Sequence, residues 1–157
     1  MATNTQVPED LKNIGWIGIG VMGAQMAQHL RNAGYNVSVY TRTKSKAEAL
    51  IAAGAEWKTP QEIASTSDVV VLMLGYPKDV REVVYENDGG IIDHLKKGAY
   101  LIDHTTSSPD LSLKIYNDCK ARGVAAIDAP VSGGDIGAKN GTLVAMCGGD
   151  QAAFDKV

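Results

Sequence analysis

A glycine-rich junction between a strand and a helix constrains the fold of this chain more than any other feature. In the stretch WIGIGVMGAQMAQHL, residues 16–30, Gly18, Gly20 and Gly23 stand at G-x-G-x-x-G spacing, with an apolar run before them and a helical pattern after them. Gly18 permits a tight turn, Gly20 lets a pyrophosphate approach the backbone, and Gly23 lets helix and strand pack closely. The helix N-terminus offers free N–H groups and a positive dipole end to phosphates. The junction therefore predicts dinucleotide binding, with a turn that holds no ligand as the alternative.

The rest of the chain alternates between predicted strands and helices. The run DVVVLML, residues 68–74, is almost entirely apolar, as strands are when both faces of a parallel sheet are covered. Strands are predicted over 14–19, 36–40, 68–74, 99–103, 124–128 and 142–147, and helices over 24–32, 44–53, 77–85 and 109–122, with further helices starting at 60 and 151 and a glycine-rich loop over 132–141. This alternation predicts an α/β fold of the Rossmann type, a doubly wound, mainly parallel sheet with helices on both faces.

Length and charge limit the classes of protein that this chain can represent. A chain of 157 residues suits one domain, and we expect a flexible arm over 1–12 and a nucleotide-binding domain over 13–157. Lys and Arg number 15 against 18 Asp and Glu, and the net charge of −3 argues against nucleic-acid binding. Two cysteines without a close pair, a polar N-terminus and a longest apolar run of 69–74 favour a cytoplasmic protein that does not span a membrane.

The end of the second predicted strand bears on which dinucleotide is bound. Proteins that prefer NAD usually place an acid there, which bonds the 2′-hydroxyl of the adenosine ribose. Residues 40–46 read YTRTKSK and contain no acid. Arg42, with Thr43 and Lys46 close by, can hold a 2′-phosphate through charge-assisted hydrogen bonds. The segment therefore favours NADP, with NAD as the alternative cofactor and solvated surface charges as the alternative interpretation.

Four segments, in order along residues 14–150, carry motifs longer than the glycine spacing. They read GWIGIGVMGAQMAQHL, TRTKSKAEAL, LIDHTTSSP and DAPVSGGDIGAKNGTL. They resemble the segments G-x-G-x-M-G-x-x-M-A-x-x-L, N-R-T, D-x-S-T-x-x-P and D-A-P-V-S-G-G-x-x-G-A-x-x-G-T-L of the β-hydroxyacid dehydrogenase family. Thr41 replaces the usual Asn and Thr105 the usual Ser. That family includes 3-hydroxyisobutyrate dehydrogenases, tartronate semialdehyde (2-hydroxy-3-oxopropionate) reductases and 6-phosphogluconate dehydrogenases.

The resemblance implies roles for individual residues. Ser132, Gly133 and Gly134 would hold the carboxylate of a small substrate through a hydroxyl and backbone N–H groups. The cofactor-binding residues would be Gly18, Gly20, Val21, Met22, Gly23, Arg42, Thr43, Lys46, Leu74 and Thr106. Each role has a simpler alternative, since Leu74 can belong to the core, Thr106 can cap a helix and the glycine-rich loop can be a turn without a ligand.

The resemblance also implies a component that this sequence does not contain. The general acid/base of the family is a lysine in a G-x-x-x-K motif at the start of a helical domain, and the sequence reaches Val157 before any such motif. We therefore expect no catalytic residue in this chain, a C-terminally incomplete domain of a longer enzyme, and a possible homo-oligomer formed through the helical domain. Lys139 is expected to be a solvated charge. The alternative is a non-catalytic nucleotide-binding or interaction module. An imine reductase is disfavoured by the intact motif over 128–143.

Overall fold

The computed structural model describes residues 7–157, in which a six-stranded parallel sheet has the order β3-β2-β1-β4-β5-β6. This order, with its reversal between β1 and β4, is the arrangement of a doubly wound Rossmann-type sheet, so the predicted fold class is confirmed. The strands are β1 Asn13–Ile17, β2 Asn36–Tyr40, β3 Glu56–Trp57, β4 Val69–Leu72, β5 Tyr100–Asp103 and β6 Ala125–Asp128, and a separate antiparallel hairpin pairs β7 Val131–Ser132 with β8 Val144–Ala145.

Helices follow most of the strands and cover both faces of the sheet. They are α1 Val21–Asn32, α2 Glu48–Ala52, α3 Pro60–Thr66, α4 Pro77–Arg81, α5 Pro109–Ala121, α6 Gly134–Asn140 and α7 Gln151–Phe154. A 3-10 turn, Lys44–Ala47, precedes α2, and α4 continues directly into a π-helix, Glu82–Glu86. In the described part of the chain, no helix is long and apolar enough to cross a membrane.

The alternation of side chains along β4 shows how the two halves of the core are built. Val70 and Leu72 pack with residues of α3, α4 and α5, whereas Val69 and Val71 pack with residues of α1 and α2. Successive strand residues point to opposite faces, so a strand covered on both sides needs an uninterrupted apolar run. This requirement explains the sequence of residues 69–72.

Two predicted elements near the C-terminus are wrong in detail. Residues 132–141 are not a loop, because α6 forms over Gly134–Asn140 and ends at Gly141, which adopts a left-handed conformation with φ of 67°. The predicted strand over 142–147 shrinks to the two residues of β8, and its partner β7 was not predicted. Glycines disfavour an isolated helix, but α6 buries Gly137 and Ala138 and packs on α1.

The expected flexible arm is described only from residue 7 onward, and residues 1–6 lie outside the described part. Glu9–Leu11 forms a 3-10 turn whose Leu11 side chain is buried in the core beside β1. An ion pair between Lys156 and Asp10 joins the residues after α7 to this turn. The segment before β1 is therefore packed against the domain from the 3-10 turn onward.

Candidate cofactor-binding site

A cleft of about 960 Å³ opens where β1, β2 and β4 end. This position is the switch point of the sheet, where helices diverge to opposite faces and where ligands of open α/β sheets bind. Its volume lies within the usual range of small-molecule sites. Of the predicted cofactor residues, the cleft is lined by Gly18, Gly20, Val21, Met22, Gly23, Arg42, Thr43, Lys46 and Leu74, but not by Thr106. The structure thus brings nine of the ten predicted residues together, and their contact with a cofactor stays a prediction.

The three positions Gly18, Gly20 and Gly23 of the turn hold glycine for different structural reasons. Gly18 has a positive φ of 107°, and a Cβ atom there would overlap with the carbonyl oxygen of Met73. A Cβ atom on Gly23 would overlap with the carbonyl oxygen of Gly18. A Cβ atom on Gly20 would meet no atom of the described residues within 4 Å. Packing inside the protein therefore requires the first and third glycines, whereas Gly20 keeps open a space in the cleft.

The N-terminus of α1 faces this open space. The helix begins at Val21 after Gly20, and no side chain in the part of the chain that the structure describes caps its first turn. The first N–H groups of a helix have no partner within the helix, and together with the dipole they favour an anion. The turn itself is anchored, because the Gly18 N–H donates to the carbonyl oxygen of Tyr40 at 2.8 Å. The start of α1 therefore presents N–H groups that can bind an anion beside the open space at Gly20.

Arg42 lines the same cleft as this turn and makes an ion pair that the sequence did not reveal. Its side chain is 81% exposed, and its Nη1 atom lies 3.5 Å from Oδ1 of Asp79. The Asp79 side chain is only 9% exposed, and its Oδ2 atom accepts the Tyr76 N–H at 3.0 Å at the start of α4. The signal in the sequence was Pro77 followed by an acid in the first helical turn, which marks a helix start but not a partner for Arg42.

The wall formed by α4 and the π-helix is acidic. Besides Asp79, the carboxylate residues that line the cleft on this side are Glu82, Glu86 and Asp88. Arg42 and Lys46 are the only basic residues in the lining among those that the structure describes. Negative charge on a ligand is therefore favoured at the glycine turn and beside Arg42, and disfavoured along the π-helix. The sequence predicted an ordinary α-helix through residue 85. A single turn of π-helix changes the spacing of apolar residues too little to be recognised from sequence.

A relay of two hydrogen bonds through the buried Thr105 fixes a residue that lines the cleft. The hydroxyl of Thr105, which is 1% exposed, accepts the backbone N–H of Leu74 at 2.9 Å. The Thr105 N–H in turn donates to Oδ1 of Asp103 at 2.9 Å. Burial raises the pKa of Asp103 to about 6, against the hydrogen bonding with Thr105 that lowers it. Thr105 thus holds the cleft residue Leu74 in place, whereas the neighbouring Thr106 is exposed.

The predicted substrate residues lie outside the lining of the cleft. Ser132 ends β7, and Gly133 and Gly134 lead into α6 with positive φ values of 131° and 62°. All three are exposed. The helix that follows them packs on α1, where Nε2 of His29 lies 2.9 Å from the carbonyl oxygen of Ala138. The motif is therefore fixed to the helix of the glycine turn, while its contact with a substrate stays a prediction.

The parallel sheet, the switch-point cleft and the uncapped helix after G-x-G-x-x-G together define a Rossmann-type dinucleotide-binding domain. A sequence model of the NAD binding domain of 6-phosphogluconate dehydrogenase matches residues 13–157. The chain belongs to this family, whose members are oxidoreductases, and the resemblance read from the four sequence motifs is confirmed.

Known relatives agree with this assignment. The chain is 54% identical over 145 residues to the uncharacterized oxidoreductase YkwC of Bacillus subtilis, covering 92% of this chain and 50% of that protein. It is 47% identical over 145 residues to the probable 3-hydroxyisobutyrate dehydrogenase-like 1, mitochondrial, of Arabidopsis thaliana, covering 92% and 43%. Among solved structures, Psf3 in complex with NADP+ and 2-OPP superposes with a TM-score of 0.85 at 28% identity, covering 91% and 51%. The chain thus spans about half the length of these relatives.

Proposed function

We propose that this chain is the cofactor-binding part of an NADP-dependent β-hydroxyacid dehydrogenase or reductase. The enzyme would be of the 3-hydroxyisobutyrate dehydrogenase or 2-hydroxy-3-oxopropionate reductase type and would interconvert a β-hydroxy acid and its semialdehyde. The observation that carries the proposal is the open space at Gly20, at an uncapped helix start, with Arg42 in the same cleft. No packing contact with residues 7–157 explains a glycine at that position, whereas an approaching pyrophosphate does.

The residues of the cleft fit the parts of a dinucleotide. The N–H groups at the start of α1 would hold the pyrophosphate, and Arg42, Thr43 and Lys46 would hold the adenosine ribose and its 2′-phosphate. Leu74 would pack beside the cofactor, and Thr106 would lie near the nicotinamide ribose. When bound, the nicotinamide would supply or accept a hydride. The preference for NADP is supported by the exposed guanidinium of Arg42 and by the lack of an acid over residues 41–46.

The substrate would bind at the junction of β7 and α6. Gly133 and Gly134 have consecutive positive φ values, a conformation that can turn neighbouring backbone N–H groups toward one anion. With the Ser132 hydroxyl, these groups would hold the carboxylate of a small acid. Both basic residues in the described cleft lining, Arg42 and Lys46, follow β2 and are assigned to the phosphate end. As the family resemblance implies, a lysine of the longer enzyme, outside residues 1–157, would supply the proton to the carbonyl.

A binding titration with a matched pair of glycine variants tests this proposal. NADPH and NADH are titrated into the 157-residue chain and into the Gly20→Val and Gly148→Val variants, with binding followed by calorimetry. Gly148, like Gly20, has open space where a Cβ atom would lie, and it is away from the cleft. We expect wild type and Gly148→Val to bind NADPH more tightly than NADH, and Gly20→Val to lose at least about tenfold in affinity for both, because its side chain would occupy the phosphate position.

Each alternative result has a defined meaning. If the wild-type chain binds neither nucleotide, the cofactor assignment is wrong. If Gly20→Val binds as wild type does while remaining folded, the phosphates do not lie at the glycine turn. Equal affinity for NADPH and NADH removes the NADP preference but leaves dinucleotide binding intact. The cytoplasmic location and the formation of a homo-oligomer stay predictions.

A further inference from the structure

The part of the cleft assigned to the 2′-phosphate contains an acid from α4, an element that the sequence analysis did not connect with this part of the cleft. The segment after β2 contains no acid, yet Asp79 of α4 lies 3.5 Å from the Arg42 guanidinium, measured from Oδ1 to Nη1. Asp79 also lines the cleft. In the described part of the chain, it carries the only carboxylate within ion-pair distance of Arg42. The guanidinium that would attract a 2′-phosphate thus already lies beside a carboxylate of the protein.

We infer that Asp79 is a specificity-determining residue that acts through Arg42 and reduces the preference of the site for a 2′-phosphorylated dinucleotide. The inference rests on the proposed function, because it concerns the same cleft. In this account, the cofactor preference is set by a pair of residues. Arg42 attracts the 2′-phosphate, while Asp79 competes with that phosphate for the guanidinium. As a result, the affinity for the unphosphorylated dinucleotide is closer to the affinity for the phosphorylated one.

The fixed position of Asp79 makes it an effective competitor. Its Oδ2 atom accepts the Tyr76 N–H at 3.0 Å, so one side of the carboxylate is held at the start of α4. The side chain is 9% exposed, whereas that of Arg42 is 81% exposed. The acid therefore stays in place whether or not a ligand is bound, and Arg42 is the partner that can reorient.

An opposite effect of Asp79 would be to assist NADP binding by holding Arg42 in position. The strength of this restraint must therefore be compared with the strength of the repulsion between Asp79 and the phosphate. A single contact of 3.5 Å to a guanidinium that is mostly in solvent restrains it weakly, since exposed ion pairs contribute little. Repulsion remains in the complex, because the Asp79 carboxylate is mostly shielded from solvent, so its charge is poorly screened from a phosphate dianion bound beside Arg42. The competing effect is therefore the larger one, and removing the charge of Asp79 should strengthen the binding of NADPH relative to NADH.

The Asp79→Asn variant tests this inference. Asparagine keeps an oxygen that can accept the Tyr76 N–H and removes the negative charge. Kd values for NADPH and NADH are measured by calorimetry for the wild-type chain, Asp79→Asn, Arg42→Ala and the double variant, and melting curves check that each is folded. We expect Asp79→Asn to raise the ratio of NADPH affinity to NADH affinity by roughly threefold to tenfold. In the Arg42→Ala background, the same substitution should change that ratio by less than about twofold.

Glu82→Gln is the matched control, because Glu82 lines the same wall and loses the same charge but makes no ion pair with Arg42. We expect it to shift the ratio by less than about twofold. An unchanged or reduced ratio in Asp79→Asn overturns the inference, as does an equal shift in Glu82→Gln or an undiminished shift without Arg42. These results leave dinucleotide binding intact. Failure of the wild-type chain to bind either nucleotide would instead overturn the proposed function.

Discussion

The hydroxyl of Thr105 accepts the backbone N–H of Leu74 at 2.9 Å, which ties the end of β5 to the residues that follow β4. Thr105 is buried, so water cannot replace the hydroxyl when it is removed. The same residue donates its backbone N–H to Asp103, and the relay thereby joins two neighbouring strand ends below the cleft. The position of Leu74 in the cleft thus depends on a residue that does not line it.

Thr105→Val should destabilise the protein by about 1–3 kcal/mol, because the Leu74 N–H would be left without its partner at nearly constant side-chain volume. Thr105→Ser keeps the hydroxyl and should cost about 1 kcal/mol for the lost methyl group. Urea denaturation measures both, and a nucleotide titration separates the roles further, since only the valine variant should bind NADPH more weakly. A valine variant as stable as wild type would show that the bond contributes nothing.

Gly20 and Gly23 should tolerate the addition of one methyl group to very different degrees. Gly23→Ala should lower the free energy of unfolding by about 2 kcal/mol or more, because the new Cβ atom would overlap with the Gly18 carbonyl oxygen. Gly20→Ala should change it by less than about 1 kcal/mol, because its Cβ atom enters open space. Thermal and urea unfolding measure the difference. Equal destabilisation by the two substitutions would contradict the assignment of separate roles.

His29 connects the helix of the glycine turn to the helix that follows the predicted substrate motif. Its Nε2 atom lies 2.9 Å from the carbonyl oxygen of Ala138 and 3.1 Å from that of Lys139. His29→Ala should therefore cost about 1–2 kcal/mol and increase proteolytic cleavage around residues 132–143. The control is His94→Ala, since His94 is exposed, as His29 is, but its ring makes no hydrogen bond with another described residue. A cleavage pattern shared by both variants would mean that His29 does not fix α6 to α1.

Asp103 should make the stability of the protein depend on pH. Burial raises its pKa from 3.8 to about 6 in the folded protein, so between these values the folded state binds more protons than the unfolded state. Stability contributed by the protonated carboxyl is thus present below pH 4 and is lost as the pH rises through 6. Relative to Asp103→Asn, the wild type should lose about 2–3 kcal/mol between pH 4 and pH 7.

Urea denaturation of both proteins at several pH values gives this difference. A parallel pH dependence in wild type and Asp103→Asn would show that Asp103 has an ordinary pKa in the folded protein. The comparison uses the change with pH within each protein, so any constant effect of the amide group cancels.

Local patterns were sufficient to predict the framework of the site. The glycine spacing identified the turn after β1, and the alternating segment NVSVY gave β2 with its observed bounds, Asn36–Tyr40. The lack of an acid after β2 drew attention to Arg42, which does line the cleft. Each of these features is encoded within a few neighbouring residues, where backbone conformation and side-chain periodicity suffice.

The features that were missed depend on contacts between distant parts of the chain. Asp79 meets Arg42 only because α4 packs over the cleft, and Thr105 meets Leu74 only because β4 and β5 are neighbours. The helix α6 contains Gly134 and Gly137 and is favoured by its contact with α1 more than by its own sequence. Pairings of this kind have no signature in spacing or composition.

A crystal structure of the chain with NADPH tests the central claim most directly. We expect pyrophosphate oxygens at about 3 Å from the backbone N–H groups at the start of α1, above Gly20, with the 2′-phosphate beside Arg42. A structure in which the nucleotide occupies another part of the surface, or in which the glycine turn stays without phosphate at saturating NADPH, would contradict the account.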